Sequence, residues 1–152
     1  MMWVRVDNRL IHGQVIETWL PYTGAGYLYV ANDELAADPI RQEIMELAIP
    51  ADINVNFVGA KELAQKLPTG PKDNVFILFA TCPDAKTAYE SGLKFETLNI
   101  GNLHYGPGKK QICAHIALAP EDISCLKSFE HKGVCLDFRC VPHRSVQVNQ
   151  WH

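Results

Sequence analysis

Seven short runs rich in β-branched and aromatic residues alternate with segments of helical period, and this alternation constrains the fold more than any other feature of the chain. The runs span 3–6, 27–31, 53–58, 75–80, 97–100, 115–118 and 134–138. Residues 75–80 are apolar without interruption, as in a strand buried on both faces at a sheet centre. Between the runs, Val15, Ile16, Trp19 and Leu20 share a helical face, and Pro21 is expected to end that helix. Asp38 and Pro39 form a cap and a first-turn proline, after which Ile40, Ile44, Leu47 and Ala48 make an apolar stripe that Pro50 stops. Ala60, Leu63, Ala64 and Leu67 repeat the pattern before Pro68. Helices are also expected over 83–91, closed by Gly92, and over 120–132, closed by Gly133, with Ile123, Leu126 and Phe129 inward. Residues 68–74 read as a loop. The whole predicts an α/β fold over residues 1–152: a single domain with a mainly parallel open sheet of about seven strands and helices on both faces. In such sheets the ligand site lies outside the carboxyl ends of the strands, which ranks the loops for function.

Composition narrows the function classes. Fourteen Lys and Arg against 17 Asp and Glu give a net charge of −3, so nucleic acid is not an expected partner. The longest stretch without Asp, Glu, Lys or Arg runs over the 15 residues 18–32 and is broken by Pro21, Gly24 and Gly26, whereas a bilayer span needs about 20 apolar residues. The first residues show neither an apolar core nor a small-residue cleavage site, so a cytoplasmic location is expected. The odd set Cys82, Cys113, Cys125, Cys135 and Cys140 reads as reduced thiols, and its spacing matches no zinc motif; no metal is expected.

The first strand runs into Asp7, Asn8, Arg9, Leu10, Ile11, His12, Gly13 and Gln14 before a helix begins. A nucleophile here sits at a strand terminus beside helix-start amides that favour an anion. The residue types suit phosphoryl chemistry. His12 offers a ring nitrogen that is nucleophilic near neutral pH. Arg9 can grip phosphate oxygens as a fork, and Gly13 leaves room for close approach. The same residues also fit plainer roles: His12 as a cap, Arg9 as a surface charge, Asp7 as a turn residue, Gln14 as the start of the helix. Either Asp7 or a loop carbonyl could fix the His12 ring.

Residues 5–15, Arg5 through Val15, resemble the signature of the enzyme IIB components of the bacterial phosphotransferase system, mannose/fructose/sorbose family. Residues 30–38, 48–50, 98–102, 108–112 and the stretch from Glu121 to Pro142 are also similar to that family, so the resemblance covers nearly the whole chain. It implies a protein-N(pi)-phosphohistidine–sugar phosphotransferase that needs no cofactor. His12 would take a phosphoryl group from a IIA protein and pass it to a sugar held by the membrane subunits IIC and IID. The component itself would be cytoplasmic, peripheral to the inner face of the cell membrane. Arg5, Asp7, Arg9, Gly13 and Gln14 occupy the motif positions around His12. Two departures stand out: Asn8 where an acidic residue is common, and Gly101, Asn102, Leu103 where Gly-Gly-Met is common. Two other readings fit the residues, a regulatory phosphohistidine relay without sugar transport and a non-catalytic anion-binding α/β module.

If the sheet is parallel, the strand ends should also bring Asn32, Asp33, Thr81 and Asn102 to the phosphoryl site. Residues 104–110 carry glycines and two lysines but lack nucleotide-loop spacing, and read as a solvated turn or a docking element. His115 reads as a core histidine, His131, His143 and His152 as surface residues, Trp3 and Trp19 as core, and Cys82 as a buried inert thiol.

Overall fold

The computed structural model describes residues 1–69 and 74–152. Residues 70–73 of the expected 68–74 loop lie outside the described residues. Strands β1 (Met2–Val6), β2 (Tyr27–Ala31), β3 (Asn54–Val58), β4 (Val75–Phe79) and β5 (Thr97–Ile100) build the main sheet. Beyond them β6 (Lys110–Cys113) and β7 (Ile116–Leu118) form a hairpin, and β8 (Cys135–Asp137) completes the sheet in the order β3-β2-β4-β1-β5-β8. Every pairing in this six-stranded sheet is parallel. All five residues of β4 are buried, as its unbroken apolar run requires. β1 sits between β4 and β5, with Val6 in register with Phe79 and Ile100. The first loop therefore emerges where the chain has crossed in opposite directions, the crevice at which open α/β sheets hold ligands.

Two apolar clusters cover the two sheet faces. On one, Leu28, Val30, Phe76 and Leu78 pack against Leu10, Val15, Trp19, Leu20 and Leu35. On the other, Val4, Val6, Ile77 and Phe79 pack under helices α5 (Cys82–Glu90) and α6 (Pro120–His131), through residues such as Ala85, Ala88, Leu126 and Phe129. The shorter helices α1 (Leu20–Thr23), α2 (Asp33–Ala36), α3 (Pro39–Glu46) and α4 (Leu63–Lys66) complete the layers.

Three expectations are corrected. The run over 115–118 is not a seventh strand of the sheet. As β7 it pairs antiparallel with β6, a strand not expected after the 104–110 turn, and the bridge from Leu103 to Ile116 ties the hairpin to the loop after β5. Pro21 does not end the first helix. A π-helical turn, Val15–Trp19, leads into α1, whose first turn accommodates Pro21; Gly24 at φ 61° ends the helix instead. The stripe on α3 does not face the core: Ile40, Ile44 and Leu47 are all exposed.

Candidate phosphoryl-transfer site

The sheet's hydrogen bonding continues past the end of β1. Asp7 N donates to Phe79 O at 2.8 Å, Asn8 N to Asn102 O at 2.8 Å, and Gly101 N to Val6 O at 2.7 Å, which pins the loop between the ends of β4 and β5. Leu10 N then donates to Asp7 O at 3.0 Å, and Leu10 itself adopts φ 56°, a conformation that L residues rarely take. Its side chain is buried in the core beside Val15 and Trp19. This reversal returns the chain over its own strand end and sets His12 above Asp7.

Asp7 is fully buried and serves as the hub. Its Oδ2 accepts hydrogen bonds from Arg5 Nε (3.2 Å) and Nη2 (3.0 Å), His12 Nε2 (2.9 Å) and Asn102 Nδ2 (3.0 Å), while Oδ1 accepts from Arg9 N at 3.0 Å. Burial alone would raise this carboxyl. The hydrogen bond from His12, the charge of Arg5 and the donors from Asn102 and Arg9 outweigh it and hold the pKa at about 2. The ionised carboxylate can only accept, so in the neutral ring the His12 proton is on Nε2 and the lone pair on Nδ1. Nδ1 is covered and makes no hydrogen bond among the described residues, and the His12 side chain is 6% exposed.

Arg5 is fully buried, and all its N–H groups are engaged. Besides the two bonds to Asp7, Nη2 donates to Gln14 Oε1 at 3.1 Å, and Nη1 to Asn99 Oδ1 at 2.5 Å and to Arg139 O at 3.4 Å. Its Cζ stacks 5.0 Å from the Trp19 ring centroid. Burial pulls the guanidinium below its ordinary range, and Asp7 opposes that shift. Gln14 closes the ring of contacts: its Oε1 also accepts from Asn102 Nδ2 at 3.1 Å, and its Nε2 donates to Cys140 Sγ at 3.2 Å. A cleft of about 680 Å³ lies behind Arg5, lined by Trp3, Trp19, Tyr22, Asn99, Asp137 and Arg139 among others, but His12 is not part of it.

The structure thus brings Arg5, Asp7, His12, Gln14 and Asn102 into one network. Arg9 is at its edge, with its backbone bound to Asp7, its side chain exposed and no ion pair among the described residues. Gly13 is exposed, with nothing within 4 Å of where a Cβ would stand. Asn32, Asp33 and Thr81 are placed outside the network. Asn32 Oδ1 caps α2 through Leu35 N (2.9 Å), Asp33 Oδ1 accepts from Ala60 N (3.0 Å), and Thr81 Oγ1 caps α5 through Asp84 N (3.2 Å). The strand order explains the first two, because β4 separates β2 from β1. Sequence reasoning missed Asn99, Cys140 and the Arg139 carbonyl. They enter the network from 94 or more positions beyond Arg5, a distance across which no local spacing carries a signal.

Comparison with known proteins agrees with this geometry. Residues 1–151 match the family model described as the PTS system sorbose subfamily IIB component. The PTS system sorbose-specific EIIB component of Klebsiella pneumoniae is 34% identical over 139 residues, covering 90% of this chain and 85% of that protein. The mannose-specific EIIAB component of Escherichia coli (strain K12) is 29% identical over 140 residues, covering 90% of this chain and 43% of that longer protein. The crystal structure of the IIBSor domain of the Klebsiella pneumoniae sorbose permease superposes with a TM-score of 0.85 at 33% identity, covering 95% of this chain and 90% of that one. A parallel sheet with a buried carboxylate beneath a loop histidine, and a family match along almost the whole chain, show that this protein belongs to the sorbose subfamily of phosphotransferase-system IIB components.

Proposed function

We propose that residues 1–152 act as one IIB domain that accepts a phosphoryl group on His12 Nδ1 from a IIA protein. The domain then passes the group to a sugar bound by IIC and IID at the cytoplasmic face of the cell membrane. The observation that carries this reading is the 2.9 Å contact between His12 Nε2 and Asp7 Oδ2. It leaves Nδ1 as the ring nitrogen with a free lone pair. The relative named as a mannose-specific EIIAB component supports the pairing with a IIA partner.

In the first step the Nδ1 lone pair forms a bond to phosphorus while the donor's P–N bond breaks, and that electron pair stays on the donor ring. In the second, a sugar hydroxyl oxygen displaces Nδ1 and releases its proton. Both steps rest on positioning and charge stabilisation. Asp7 steadies the positive charge that develops on the imidazole, as a buried carboxylate does for a catalytic histidine. Arg9, with its backbone on Asp7 and its side chain exposed, binds the phosphoryl oxygens, while Arg5 and Asn102, themselves joined through Gln14, hold Asp7 in place. In this reading Asn32 and Thr81 serve as helix caps and Asp33 braces the turn at Ala60. Because Nδ1 is covered, docking has to turn the ring outward or lift the loop above it, and the left-handed Leu10 marks where that loop stores strain.

Incubation with phosphorylated IIA tests the proposal. The wild-type chain should gain an acid-labile, base-stable label on His12, and His12→Ala should gain none. Labelling of His12→Ala at the wild-type level would refute it.

A further inference from the structure

We infer that the turn from His104 to Lys110 is a docking element for the phosphodonor protein, with Tyr105 as its aromatic anchor; this rests on the phosphohistidine reading above. Tyr105 is 70% exposed, an unusual position for a ring of that size, and His104 and Lys110 beside it are exposed cations or potential cations. The turn is preorganised. Lys109 Nζ donates to His104 O at 2.9 Å, Lys109 N donates to Gly106 O at 3.1 Å, and Gly108 takes φ 79° before the chain enters β6. A side chain presented on a hydrogen-bonded turn leaves little backbone freedom to lose on binding, which is what a recognition anchor needs.

The turn is also joined to the catalytic loop. His104 N donates to Asn8 Oδ1 at 2.8 Å, and Asn8 Nδ2 donates to Ala80 O at 2.7 Å. Asn8 stands between Asp7 and Arg9, so Tyr105 projects from a segment tied directly to the loop that carries His12. The exposed stripe of Ile40, Ile44 and Leu47 on α3 has no such tie.

Charge selects the partner. Before transfer the donor carries the phosphoryl dianion, and Arg9, Lys110 and His104 favour its approach. After transfer the dianion sits on His12 and offsets the same cations, which favours release of the donor. A neutral sugar hydroxyl gains nothing from them. The partner face that fits is an apolar recess of aromatic size bordered by carboxylates around a phosphohistidine.

The experiment compares Tyr105→Ala and Lys110→Glu with the wild-type chain. It measures the second-order rate of transfer from phosphorylated IIA and, separately, labelling by phosphoramidate, a small donor that needs no docking. Tyr105→Ala should slow transfer from IIA by about tenfold or more. Lys110→Glu should slow it and weaken its dependence on salt. Tyr105→Ala should take label from phosphoramidate at the wild-type rate, and Lys110→Glu should lose much less with this small anionic donor than with IIA. Unchanged transfer from IIA in both variants overturns the inference. An equal fall with both donors makes the turn a structural support and overturns it as well. A loss confined to onward transfer in membrane vesicles assigns the turn to the permease and also overturns it. If the wild-type chain takes no label from either donor, the phosphohistidine reading itself fails and this inference falls with it.

Discussion

A Cβ at position 101 would lie 2.3 Å from both Cζ and Nη2 of Arg5, so only a glycine there lets the guanidinium reach Asp7. Gly101 is itself fixed by its bond to Val6 O and cannot draw back. Gly101→Ala must therefore push Arg5 aside in a packed interior, which costs about 1–3 kcal/mol. It also loosens a fully buried ion pair, leaving each charge poorly compensated. The urea midpoint of the variant should fall, and phosphoramidate labelling of His12 should fall with it. A midpoint equal to the wild-type value would show that the guanidinium does not need that space.

The depressed pKa of Asp7 makes a prediction in acid. A carboxyl with an ordinary pKa of 3.8 that is held at about 2 in the folded chain binds its proton more weakly there than in the unfolded chain. Its contribution is therefore complete above about pH 4 and is lost as the pH falls toward 2. The gap between 3.8 and about 2 corresponds to about 2–3 kcal/mol for this fully buried group. Unfolding free energies measured from pH 5 to pH 2 should show that slope in the wild-type chain. Asp7→Asn should be less stable by about 3–5 kcal/mol at pH 5, because Arg5 loses its counter-charge, with the gap to wild type narrowing toward pH 2. It should also lack the Asp7 part of the slope, and an unchanged slope would remove Asp7 from the acid linkage.

What the sequence could convey followed the range of the interactions involved. β1 to β5 and β8 were legible because a parallel sheet buried on both faces needs apolar β-branched runs, and the chain supplies them locally. β6 was not, because Lys110 and Gln111 are exposed and follow a turn of glycines and proline. The periodicity of Ile40, Ile44 and Leu47 correctly indicated a helix with an apolar face, but a period cannot say whether this chain covers that face. At the site, Asp7, Arg9 and His12 stood within six positions and could be read together. One of the bonds to Asp7 comes from Asn102, and two of those that lock Arg5 come from Asn99 and Arg139, which only the fold brings near. Asn32 and Thr81 showed the opposite failure. A residue type suited to a strand-end site is equally suited to capping the helix that follows, and the caps prevailed.

Asn102 gives a direct test of how the network tunes Asp7. Its Nδ2 donates to both Asp7 and Gln14, and the first of these bonds is one of the causes that lower the Asp7 carboxyl. Asn102→Gly removes both donors while keeping the backbone carbonyl that receives Asn8 N. We expect a stability loss of about 0.5–1.5 kcal/mol per bond removed and a rise in the Asp7 pKa toward the ordinary range. Titration of the Asp7 carboxyl carbon by NMR would report that rise. An Asp7 titration identical to wild type would place Asn102 outside the tuning of this site.

Gly13 separates the demands of folding from those of transfer. Unlike Gly101, it has no heavy atom of the described residues within 4 Å of where a Cβ would stand, its chain neighbours His12 and Gln14 apart, and its φ lies outside the left-handed region. An alanine there meets no steric obstacle in the folded chain and restricts the unfolded one, so stability should hold or rise by up to about 1 kcal/mol. The added methyl would occupy open space beside His12, where the phosphoryl group and the donor have to enter. Gly13→Ala should therefore keep its urea midpoint and still accept phosphate from IIA at least about tenfold more slowly, as expected when reacting atoms are held off their productive approach. A lowered midpoint would mean that the glycine serves packing. A wild-type rate with a wild-type midpoint would mean that the space beside His12 is not the route of the phosphoryl group, and entry would then have to be sought on the other side of the ring.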